Sequence, residues 1–67
     1  MNYYLIQLSN TNSIYDKLLE SPHQFEEEDD KLCMYVNVTE GFKSCWNIIN
    51  NLGVKRDDVY DIELLNS

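Results

Sequence analysis

Apolar residues recur along the chain at two spacings, and each spacing predicts an element. Leu32, Met34, Val36 and Val38 alternate with Cys33, Tyr35 and Asn37. That period of two predicts a strand over 32–38. Residues 3–8 form a short aromatic and aliphatic run that stops at the polar cluster Ser9, Asn10, Thr11, Asn12, and they too predict a strand. Over 59–65, Tyr60, Ile62 and Leu64 are expected to face inward, with Asp61 and Glu63 facing water. Helical spacing appears twice. Ser13 suits an N-cap, followed by Ile14, Tyr15, Leu18 and Leu19, and Ser21-Pro22 ends the segment because the residue before proline is pushed out of the α region. Thr39 suits a second N-cap. Phe42, Cys45, Trp46, Ile49 and Leu52 then form one stripe, and Gly53 followed by Val54 reads as the C-terminal stop.

These elements read as β-α-β-α-β. The expected fold is a small two-layer α/β (α+β) domain over 1–67, with a three-stranded sheet and two helices on one face. Parallel strands joined through a helix would make right-handed crossovers. Residues 22–30 read as an acidic loop, because the five consecutive acids Glu26, Glu27, Glu28, Asp29 and Asp30 repel one another and offer no apolar face.

Composition supports a single ordered domain. A chain of 67 residues suits one core, and 43% hydrophobic residues argue against disorder. Charge adds the first functional information. Twelve acids against five bases give a net charge of −7, which opposes contact with nucleic acid or an anionic membrane and favours a basic surface. The acids are also concentrated: nine lie within 26–30 and at Asp57, Asp58, Asp61 and Glu63. Alternation places Cys33, Tyr35 and Asn37 on the sheet face away from the helices, beside Asp61 and Glu63; from the first strand it adds either Tyr3, Leu5 and Gln7 or Tyr4, Ile6 and Leu8, and the first set is preferred because it leaves Gln7 outside. Tyrosine is favoured at contact surfaces, since it offers a large area and a polar tip at small entropic cost. The residues expected to meet a partner are therefore Tyr3, Phe25, Glu26, Glu27, Glu28, Asp29, Asp30, Tyr35, Asp57, Asp58, Asp61 and Glu63. Phe25 has two readings, as an anchor holding the loop on the domain or as a side chain inserted into a partner.

Catalytic chemistries find little support. The single histidine, His23, stands in a polar loop, and Cys45 falls on the apolar helix stripe, so no Cys-His dyad is expected. Zinc needs about four nitrogen or sulfur ligands, and the chain has three with no CxxC pair. The 26–30 run lacks the alternating ligands and glycine of a calcium loop. Gly41 and Gly53 are isolated and form no phosphate loop. The expectation is a protein that is not an enzyme and uses no cofactor or metal.

No apolar run approaches the ~20 residues that span a bilayer, and the first residues lack a signal-peptide pattern. Two cysteines make no disulfide framework, so a cytoplasmic location is expected (the host cytoplasm if phage-encoded), and the sequon at Asn37 is then incidental. The leading expectation is a stoichiometric inhibitor or regulator of a basic-surfaced, nucleic-acid-handling protein: a nuclease, polymerase or immune effector. Two alternatives are a small subunit that self-associates as a homodimer through the open sheet face, and an immunity protein or antitoxin that neutralises a basic toxin. In size and charge, though in no motif, the chain is similar to small acidic proteins of phages and mobile elements that imitate nucleic acid.

Overall fold

The computed structural model describes residues 2–66. The elements follow in the order β1 (Asn2–Ser9), α1 (Asn12–Glu20), β2 (Gln24–Glu27), β3 (Lys31–Val38), α2 (Phe42–Leu52) and β4 (Val59–Asn66), with one 3-10 turn at Arg56–Asp58. The sheet has four strands in the order β2-β3-β1-β4, and each neighbouring pair is antiparallel. The connectivity is therefore β-α-β-β-α-β, the split β-α-β (ferredoxin-like) arrangement. This corrects the expected three strands, the β-α-β-α-β order and the parallel neighbours. The additional strand lies within the segment read as a loop. β2 turns directly into β3, and β3 inserts between β1 and β2.

The register gives the sheet its two faces. Tyr4, Ile6 and Leu8 of β1 pair with Val36, Met34 and Leu32 of β3, and all six are buried. They form one core cluster with Ile14 and Leu18 of α1, Cys45 and Ile49 of α2, and Val54. Both helices therefore share the inner face. β2 reaches this cluster through Phe25, whose ring meets Tyr15 edge-on at 5.5 Å between centroids. From β4, Ile62 pairs with Ile6 and packs against the core as expected; Leu64 lies on the same side opposite Tyr4 but stays 42% exposed and outside the core. Tyr60 turns outward instead. A register shift between Gln7 and Leu8 makes it a bulge residue, 56% exposed, with the Lys31 ammonium 5.6 Å from its ring centroid.

Helix ends follow local chemistry, in part at other residues than expected. Thr11, rather than Ser13, caps α1; its Oγ1 accepts from the Ile14 N–H at 3.2 Å. α1 ends at Glu20, and Ser21 is already extended before Pro22. α2 starts at Phe42 behind Gly41, not behind Thr39. Gly41 has φ of +73°, which favours glycine, and a Cβ there would meet the Tyr4 hydroxyl at a tight 3.2 Å. Gly53 ends α2 in the left-handed conformation, and Val54 is buried just beyond it, as the sequence implied.

Candidate functional site

The outer face of the sheet faces away from both helices, and cross-strand pairing arranges its side chains in rows. One row runs Glu26, Cys33, Gln7, Asp61 from β2 to β4. The next runs Gln24, Tyr35, Leu5, Glu63, and a third holds Asn37, Tyr3 and Asn66. Neighbouring strands lie about 4.8 Å apart, so Glu26 and Asp61 stand roughly 14 Å from each other across the face. Carboxylates thus border it on both sides, and an apolar, aromatic strip fills the middle. Tyr3 and Tyr35 are diagonal neighbours whose rings stack at 6.0 Å with an 18° interplanar angle.

The two acidic segments, far apart in sequence, meet at one end of this sheet. The β2–β3 turn holds Glu28, Asp29 and Asp30 beside Lys31, which pairs with Ser9. Asp57 and Asp58 occupy the 3-10 turn that leads into Val59, which pairs with Leu8. Both turns therefore flank the C-terminal end of β1. Asn10 fixes the first of them: its Nδ2 donates to the Glu28 carbonyl and to Glu27 Oε2, each at 3.0 Å, and its N–H donates to the Asp30 carbonyl at 3.3 Å. The acidic turn is thereby held against the β1–α1 connection.

Of the residues expected to meet a partner, Tyr3, Tyr35, Glu26, Asp61 and Glu63 share the open face, and Glu28, Asp29, Asp30, Asp57 and Asp58 line its acidic end. Two point elsewhere. Phe25 pairs with Met34 on the inner side and packs towards the core, and Glu27 lies on that side too, opposite Leu32. Asn10 holds the acidic turn, and Gln24 and His23 lie beside Tyr3, Glu26 and Tyr35; none of the three was among the residues expected to meet a partner. Asn10 was legible only as part of a polar turn cluster, because its role depends on chain segments that meet through the fold.

Electrostatics on the open face follow from burial beside carboxylates. Cys33 belongs to this face yet is only 3% exposed, under Gln7, whose amide lies 4.0 Å from its sulfur. Burial pushes its thiol pKa up, and Glu28 and Glu26 push it further the same way. Tyr35 is also raised, by burial first and then by Glu26, to which its hydroxyl donates at 3.5 Å. Cys45, in the core, is raised by burial alone. A thiol held protonated is a poor nucleophile and a poor metal ligand. Among the described residues, no group of three or more His, Cys, Asp or Glu side chains is placed to hold a metal ion, and no helix is long and apolar enough to cross a membrane.

No family model, curated protein or solved structure matches this chain.

Proposed function

We propose that this protein binds a basic protein surface through its open sheet face and the adjoining acidic end, as a stoichiometric inhibitor or regulator of a protein that handles nucleic acid. One observation carries the reading: a tyrosine and leucine strip bordered by Glu26 on one side and by Asp61 and Glu63 on the other. Clustered carboxylates steer a basic partner into contact and set its orientation. The central aromatics supply the desolvated contact area that usually dominates binding energy. Asp61 and Glu63, two residues apart on one strand, repeat negative charge at about 6.8 Å, and the acidic turns extend it past the sheet end. Such a surface suits a groove built for phosphates.

Nucleic acid itself fits poorly. Some RNA-binding modules stack bases on the aromatics of a four-stranded sheet, and Tyr3 and Tyr35 would offer that platform. The carboxylates bordering them, and the net charge of −7, would repel the phosphates that supply most of the affinity. Self-association through the same face would set two acidic borders against each other.

The test is affinity capture on the immobilised chain, compared with the variant carrying Glu26→Gln, Glu27→Gln, Glu28→Gln, Asp29→Asn and Asp30→Asn. The wild-type chain should retain a basic protein near equimolar ratio at about 0.1 M salt and release it towards about 1 M. The variant should retain far less, and adding the free chain should reduce the captured protein's nucleic-acid binding. Equal retention by the variant, or retention indifferent to salt, overturns the proposal.

A further inference from the structure

β2 spans four residues against the eight of β3, and pairing stops at Gln24 opposite Tyr35. Beyond that point the edge of β3 has no strand neighbour among the described residues, and a notch opens where the chain arrives from α1. The notch is a cavity of about 570 Å³ lined by Tyr3, His23, Gln24, Phe25, Glu26 and Tyr35. That volume falls in the range of small-ligand clefts, and the notch is open to solvent on one side. Its walls combine two stacked phenol rings with one carboxylate. The Glu26 contact to the Tyr35 hydroxyl is long, at 3.5 Å, and uses one of roughly four acceptor positions on the carboxylate.

We propose that this notch is a guanidinium site that takes one arginine side chain of the basic partner. The planar cation would lie against the tyrosine rings while its N–H fork donates to Glu26. Arginine suits these walls better than lysine, because its flat, weakly hydrated head stacks on aromatics and pairs with a carboxylate through two bonds at once. Its methylene stem is apolar and can follow the phenol edges. Two of the chain's own five cations already lie over other rings: the Arg56 guanidinium is 4.9 Å over Trp46, and Lys31 lies over Tyr60. The proposal rests on the basic-partner reading and narrows it to one contact.

The experiment titrates the folded, ¹⁵N-labelled chain with short peptides that differ at one central residue: arginine, lysine or citrulline. The arginine peptide should shift the amides of Tyr3, Gln24, Glu26 and Tyr35 and bind about tenfold tighter than the lysine peptide, the margin of roughly one additional charge-assisted hydrogen bond, since lysine shares the cation–π contact but cannot pair with Glu26 through two bonds. The citrulline peptide, isosteric and neutral, should leave them unmoved. Glu26→Gln is an exposed change that keeps the fold, and it should bring arginine down to the lysine level. Tyr35→Leu and Tyr3→Leu should do the same, and either serves if the other fails to fold. Equal binding of arginine and lysine, with shifts spread over 26–30 and 57–63, overturns the notch and leaves the basic-surface reading standing. Absence of any shift also overturns the notch, and the capture experiment then decides the wider reading by itself.

Discussion

At the scale of single residues, the two thiols make the sharpest statement about pH. Cys33 and Cys45 are both buried, and burial raises both pKa values above the ordinary range. A thiol raised in the folded state stabilises the fold fully below its unfolded pKa, and that contribution is lost as pH rises towards the folded value. The unfolded chain ionises its thiols near the ordinary pKa of about 8.5, while the folded chain keeps them protonated. The thiols' contribution to stability should therefore be constant below about pH 8 and fall above it. Urea unfolding across that window checks the sign, and replacing both cysteines with alanine should flatten the decline. A decline of unchanged slope in that variant would assign it elsewhere. Tyr35, also raised, enters only nearer the tyrosine range of about 10. The burial of Cys45 could be read from its place on the helix stripe. That of Cys33 could not, because alternation puts it on the outer face and only the side chains around it close it off. Cap residues were only partly legible for a related reason. Ser13 and Thr39 have the right chemistry, but Thr11 and Gly41 have the right backbone, with Thr11 extended at φ −113° and ψ 158°.

At the scale of elements, legibility depended on whether a strand carries its own apolar pattern. β3 does, with four inward aliphatic residues in alternation, and its limits came within one residue of the structure. β2 does not: among Gln24, Phe25, Glu26 and Glu27, one side chain is apolar and two are acidic. What makes these residues a strand is tertiary. β3 supplies the hydrogen-bonding edge, Tyr15 receives Phe25, and Asn10 holds the turn. β4 was found, but the register shift that turns Tyr60 outward has no signature in composition. β2 should accordingly depend on its one anchor. Phe25→Ala should lower stability by about 2 kcal/mol, less than the ~3–5 of a fully buried phenylalanine. Hydrogen exchange should show the loss as local opening, with the β2 amides and the 28–30 turn exchanging much faster while β1 amides stay slow. A uniform acceleration across β1 and β3 would mean instead that β2 does not open as a separate unit. The same variant bears on the notch, since Phe25 lines it next to Glu26.

At the scale of the whole molecule, the fold concentrates charge that the sequence only distributes. Nine acids in two segments were legible, and so was the alternation that places tyrosines beside Asp61 and Glu63. Their convergence at one sheet end was not, because it depends on the strand order β2-β3-β1-β4. Crowding like charge on a 67-residue domain makes each carboxylate raise the cost of folding for the others. Salt should therefore act on folding and on binding in opposite directions. Screening shortens the reach of repulsion from about 30 Å at 0.01 M to about 3 Å at 1 M, so added salt should raise the melting temperature of the free chain by a few degrees, where ~1 kcal/mol corresponds to roughly 4–8 °C in a domain this small. The same screening weakens attraction to a basic partner. Loss of binding at high salt then cannot be attributed to unfolding, because the fold gains stability over the same range. Neutralising 26–30 should reproduce both effects at low salt, with a higher melting temperature and weaker capture. A variant that loses binding and melts lower would instead mark 26–30 as a structural segment, with its carboxylates serving the turn that Asn10 holds and not a partner.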